Sequence, residues 1–422
     1  MGMTLAEKIL ARKAGLPAVV PGQIVRVEPD VAMTAAATTL IAIRQFHELG
    51  VARVWDPSRI VVTLDHEAPA YSVETANAAK AIRAFAREQG ITAFYDVGEG
   101  ICHQLMVERG HALPGALIVG KDSHSTSYGA VGAMGVPIGA TETACLWGTG
   151  RLWLRVPESV RVVVGGRLRP GVYAKDAILK IVGAFGQDGC TYKSIEFAGP
   201  AVEAMDVPDR FTLANMAVEM GAKAGLVAFD ETARRYLEGR ARGAYHPLHA
   251  DPDAAYERTL EVDGDALEPM IACPPRIDDV RPVSAVAGVR VDQAFLGSCT
   301  NGRIEDLAIA AAILKGRRLA PGVRMVIGPA SRDALQQAVA RGYADTFLQA
   351  GAVILPPGCG PCFGAHQGIL AEGEVCISGA NRNYPGRMGH KTAEIYVGSP
   401  AVVAASAVAG HITDPREYLP AR

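Results

Sequence analysis

The chain has 422 residues, with 42 lysines and arginines against 44 aspartates and glutamates and a formal net charge of -2. That length has room for two or three domains, each with its own core, and the composition is that of an ordinary soluble protein. A near-neutral chain whose basic clusters are as short as Arg234-Arg235 and Arg317-Arg318 has no nucleic-acid footprint; a small anionic substrate would be met by a few placed arginines.

The eight cysteines, at 102, 145, 190, 273, 299, 359, 362 and 376, are too sparse for a disulfide framework. No basic segment followed by an apolar stretch opens the chain, and the longest apolar run, Pro400 to Gly410, is about half of the roughly twenty residues a membrane span needs. The expectation is a cytoplasmic protein in a reducing compartment, with no membrane partner.

In chain order, residues 4 to 14 and 35 to 49 have helical spacing, the second run ending at Gly50. Apolar strands follow at 60 to 64 and 116 to 119, with a helix from about 73 to 89 between them. Strands alternating with helices predict α/β layers, with functional residues at the strand ends. Asp65-His66 follows the first of these strands, and Asp122-Ser123-His124 follows the second. His103 lies between them in Gly98 to Gln104. A carboxylate beside an imidazole fixes its tautomer and raises its basicity, as acid-base chemistry requires. Each such histidine alone could equally be a satisfied structural residue; their joint appearance favours the functional reading.

A second unit opens near Val156, with a strand at 160 to 164 and a helix at 174 to 184. It leads to Glu196, a carboxylate between Ile195 and Phe197 that is costly to bury without a partner. The proline-rich stretch from Arg240 to Ala287 reads as the approach to a third domain, so the expected boundaries are 1–155, 156–287 and 288–422. No internal sequence repeat is visible.

The third unit carries Cys299 after the apolar run Gln293 to Leu296, and Cys359 and Cys362 in a stiff Pro-Gly-rich CxxC. Three thiolates select zinc, Cu(I) or an iron–sulfur cluster, and an unfilled fourth position would leave one metal open to substrate. A redox CxxC, or a zinc turn completed by His366, fits the spacing too. Asn381 to Arg387 adds two arginines in one tight loop, suited to carboxylates, although Arg382 or Arg387 could instead tie the loop to a carbonyl.

Leu296 to Ile304 (LGSCTNGRI), Pro357 to His366 (PGCGPCFGAH) and Asn381 to Gly389 (NRNYPGRMG) together resemble the three diagnostic stretches of the aconitase superfamily. The form is the split one, that of large subunits of the 3-isopropylmalate dehydratase and homoaconitase type, and the resemblance runs from Thr4 to Arg416. It implies a three-domain α/β/α fold lacking the C-terminal swivel domain, which would be a separate small subunit carrying the catalytic serine. It also implies a [4Fe-4S] cluster on Cys299, Cys359 and Cys362, and dehydration and rehydration of a hydroxy di- or tricarboxylate, 3-isopropylmalate first among them.

By the same resemblance Asp65-His66 would protonate the departing hydroxyl. His103 with Asp122, and His124 with Glu196, would form two further pairs. Ser123, Asn381, Arg382 and Arg387 would hold the substrate. Two departures stand out: Ala35 and Ala36 replace polar residues common at those positions, and Lys121 precedes Asp122 where threonine is usual. A homoaconitase, a 2,3-dimethylmalate- or methylmalate-type dehydratase, a structural zinc protein and a non-catalytic iron–sulfur sensor or binding protein are the competing readings.

Overall fold

The computed structural model describes residues 2–36 and 38–419. Five short strands in the first third of the chain form one parallel sheet, in the order Ala93–Tyr95, Ile60–Thr63, Val31–Ala35, Leu117–Gly120, Met134–Pro137. Ile60–Thr63 and Leu117–Gly120 are buried at every position, which is why they read as unbroken apolar runs without alternation. The same ambiguity explains one shifted boundary. The run expected to be helical from residue 35 is strand through Ala35, turns at Ala36 with φ 55°, and becomes helix only over Thr38–Glu48. Ala37 lies outside the described residues.

A second parallel sheet runs Ala224–Val227, Ser194–Ala198, Ser159–Gly165, Arg258–Asp263. The third has seven strands, in the order Val280–Pro282, Met270–Ala272, Glu394–Gly398, Val375–Ser378, Gln293–Leu296, Arg324–Ile327, Val353–Ile354. Its first two strands join antiparallel and the rest parallel. Those two strands precede residue 288, so the third sheet takes in chain from the proline-rich approach.

Although no sequence repeat is visible, the first and third sheets share a topology. In each the first of the parallel strands in sequence lies centrally, the next two extend one edge, and the chain then returns to the other side. Such a reversal leaves a crevice beyond the carboxyl ends of the two central strands, where α/β sheets bind ligands. In the first sheet the crevice lies between the ends of Val31–Ala35 and Leu117–Gly120; in the third, between Gln293–Leu296 and Val375–Ser378.

Helices cover the sheets with standard punctuation. Val73–Gln89 starts from Ser72, whose side chain accepts from the Thr75 N–H, and stops at Gly90 in the left-handed region. Leu5–Ala14 starts from Thr4 in a reciprocal box with Glu7. The apolar run near the carboxyl end is the buried helix Pro400–Ala409, ten residues long. Among the described residues no helix is long and apolar enough to cross a membrane.

Candidate active site

Loops from both crevices converge on one cavity of about 180 Å³. From the first sheet come His66, His103, Asp122, Ser123 and His124; from the third come Cys299, Cys359, Cys362, Asn381, Arg382 and Arg387. Of the predicted site residues only Asp65 and Glu196 do not line it. Larger hollows exist elsewhere, one of about 860 Å³ beside Lys315 and Tyr343, with no cysteine, histidine or carboxylate among the described residues that line it. We therefore take the smaller cavity as the site.

Asp65 lies behind His66. Its carboxylate sits 3.0 Å from His66 Nδ1 and accepts the Cys102 N–H at 2.8 Å. Burial works against this charge, but His66 and the hydrogen bonds outweigh it and the pKa is lowered. With Nδ1 engaged, His66 turns Nε2 towards Asp122, 3.7 Å away. Asp122 is the hub of the cluster: Oδ1 lies 2.7 Å from His103 Nε2 and accepts the His124 N–H at 2.9 Å. Burial opposes its charge too, yet His103 and bonds from three histidines hold its pKa well below the usual carboxylate range. The Tyr128 hydroxyl lies 3.1 Å from His103 Nδ1, so both nitrogens of that ring are engaged.

The expected pairing of His124 with Glu196 is not what the structure shows. His124 Nε2 lies 2.8 Å from Oε1 of Glu219, and Arg382 Nε donates to the same carboxylate at 2.9 and 3.0 Å. Glu196 accepts instead from the Leu5 N–H at 2.7 Å and the Tyr256 hydroxyl at 2.9 Å, bonds that tie the amino-terminal helix to the second sheet. Burial raises its pKa, whereas Arg382 and His124 overcome burial at Glu219 and lower it. The missed signal was Asn215 and Glu219, four residues apart in one helical stretch. Both are polar among apolar neighbours, and both are turned inward.

Asn215 donates to Cys299 Sγ at 3.2 Å and to Ser127 Oγ at 2.9 Å. Asn381 donates to Cys299 Sγ at 3.5 Å and to Thr300 Oγ1 at 2.9 Å, and Arg387 Nη2 lies 3.6 Å from Cys362 Sγ. Ser298, just before Cys299, holds φ 73°, a strained conformation that aims the next side chain into the cavity while its hydroxyl accepts from the Thr300 N–H. All three cysteines are at least nine-tenths buried, and none is in a disulfide.

This donor set fits an iron–sulfur group. Sulfur ligands are buried and receive N–H donors, and among the described residues no fourth cysteine lines the cavity. His366, offered by the sequence as a fourth zinc ligand, does not line the cavity; its Nε2 is 2.7 Å from the Pro69 carbonyl oxygen and its ring lies edge-on to Tyr71. Ala36, in the turn that follows the strand Val31–Ala35, is buried and does not line the cavity. Lys121 is half-buried and forms no ion pair among the described residues; burial lowers its pKa.

A family model described as Aconitase family (aconitate hydratase) matches residues 7–410. The chain is 51% identical over 419 residues to the 3-isopropylmalate dehydratase large subunit 1 of Methanopyrus kandleri, covering 99% of this chain and 100% of that one. It is 51% identical over 388 residues to a probable methanogen homoaconitase large subunit of Methanosarcina mazei, 92% and 98% of the two chains. Against the 3-isopropylmalate dehydratase large subunit of Aquifex aeolicus it is 44% identical over 426 residues, 100% and 99%.

Proposed function

Because the chain belongs to the aconitase family and is a hydro-lyase, we propose that it is the large subunit of a 3-isopropylmalate dehydratase-type enzyme of the cytoplasm. In this reading it works with a separate small subunit and a [4Fe-4S] cluster held by Cys299, Cys359 and Cys362. The observation that carries it is the joining, in one cavity, of three buried thiols, two arginines and three histidines, each of which is held by a carboxylate.

When bound, such a cluster supplies a Lewis acid for the hydroxyl that leaves and the carboxylate beside it. The chain's own residues do the rest. His66, its Nδ1 held by Asp65, presents Nε2 as the proton donor to the departing hydroxyl. His124, its Nε2 anchored by Glu219, accepts and returns protons around the same oxygen, and His103, both of whose nitrogens are engaged, holds Asp122 in place. Arg382 uses Nε on Glu219, and its terminal nitrogens, which have no hydrogen-bond partner among the described residues, remain for a substrate carboxylate. Arg387 and Ser123 also line the cavity, and Asn381 orients the sulfur of Cys299. The base that removes the carbon-bound proton would come from the small subunit.

Relatives named for 3-isopropylmalate dehydratase and for homoaconitase are both 51% identical to the chain, the first over 99% of it and the second over 92%. The test is anaerobic reconstitution followed by iron and sulfide analysis. About four irons per chain, lost in Cys359→Ser, is the expected result; one tightly bound zinc and colourless protein would overturn it.

A further inference from the structure

Lys175 is the second residue of the helix Ala174–Phe185 and is 1% exposed. Its Nζ donates to Asn301 Oδ1 at 2.9 Å, to the Gly379 carbonyl at 2.9 Å and to the Ala380 carbonyl at 2.8 Å. An ammonium has three hydrogens, and here each has its own acceptor. The acceptors come from two different loops. Asn301 stands two residues after Cys299, while Gly379 and Ala380 lead directly into Asn381 and Arg382.

A buried cation is normally retained against a partner anion. Among the described residues no carboxylate lies within ion-pair distance of Lys175; Asp306 is reached only through Asn301, whose Nδ2 donates to it at 2.8 Å. Lys175 does not line the cavity and so touches no substrate.

We propose that Lys175 is a positioning residue. It clamps the Cys299 loop to the Asn381–Arg382 loop and so holds Cys299 and Asn381 in the arrangement that retains the cluster. The proposal rests on the reading of the cysteines as iron–sulfur ligands, but its readout is metal retention and not turnover. Asn301, by presenting Oδ1 to the ammonium and Nδ2 to Asp306, orients the clamp.

The experiment uses the full chain, reconstituted anaerobically, as wild type and as Lys175→Met. It follows iron release to an excess of chelator by the decay of visible absorbance, and urea unfolding of the metal-free forms. Lys175→Met is expected to release iron at least tenfold faster. The metal-free variant leaves three buried acceptors without a donor and is expected to unfold at a lower urea concentration than wild type, with its transition still well clear of the conditions of the release assay. Release within twofold of wild type would overturn the proposal. So would a metal-free variant weakened enough to account for the faster release. If Lys175→Met does not fold, Asn301→Ser, which withdraws one of the three acceptors, is expected to release iron about threefold faster, and an unchanged rate would overturn the clamp. Wild-type chain that takes up no iron would overturn the functional reading and this inference with it.

Discussion

Glu219 joins two halves of the site, because one carboxylate orients His124 and fixes Arg382. Replacing it by glutamine keeps the shape, removes the charge and leaves an amide that cannot accept from both partners through both oxygens. Glu219→Gln in the loaded heteromer is therefore expected to lower kcat on the order of a hundredfold. Glu196→Gln is expected to leave kcat within about threefold and to cost about 1 kcal/mol in urea unfolding, since it weakens a bond to a helix end. Steady-state kinetics and denaturation of the two variants side by side check both. Cysteines, histidines and arginines were legible because rare residue types in tight motifs announce themselves. Glu219 was not, because a carboxylate inside an apolar stretch looks the same at 196 and 219 until the fold shows which one has a cation beside it.

The helix Val207–Met216 leads from the second sheet towards the thiols, ending at Asn215 and the turn that carries Glu219. It is anchored at its first turn by Arg210, whose fully buried guanidinium donates to both oxygens of Asp230 at 2.7 and 2.6 Å and to two backbone carbonyls. Asp230→Ala leaves that cation buried without its anion and also uncaps the helix Glu231–Leu237. Asp230 is itself partly exposed, so a loss of about 2 kcal/mol is expected, below the usual figure for a fully buried pair. Urea denaturation with an unchanged m-value measures it. Elements of this kind were largely visible in the sequence, Val73–Gln89 to the residue, where a cap and a glycine bracket a periodic run. Strands buried on both faces carry no alternation. That is why the sequence reading misses the strand Val31–Ala35 and starts the following helix at its last residue.

At the scale of the whole molecule, two sheets of the same strand order turn their crevices towards one cavity, and the segment 240–246 laps back over the first sheet. Arg242 donates to the Tyr95 hydroxyl at 3.0 Å, and the same hydroxyl lies 2.6 Å from His111 Nε2. Burial, with Arg242 nearby, pushes the His111 pKa down to about 4. The unfolded chain takes up this proton near pH 6.5 and the folded chain only near 4, so stability falls as pH drops through that window. Between pH 7 and 5 the contribution is on the order of 2 kcal/mol. His111→Asn is expected to lose correspondingly less stability over that interval, read by urea unfolding at the two pH values. The shared topology could not be read from the sequence, since strand order records which runs pair and leaves no trace in their composition.

The central claim, a thiol-held cluster site that dehydrates a hydroxy acid with a second subunit, is tested most directly by one rate. The anaerobically reconstituted chain is mixed with its small subunit, 3-isopropylmalate is added, and alkene absorbance is followed. Turnover that vanishes without the small subunit and in Cys359→Ser is the predicted result. A loaded, assembled heteromer that leaves 3-isopropylmalate untouched would contradict the account.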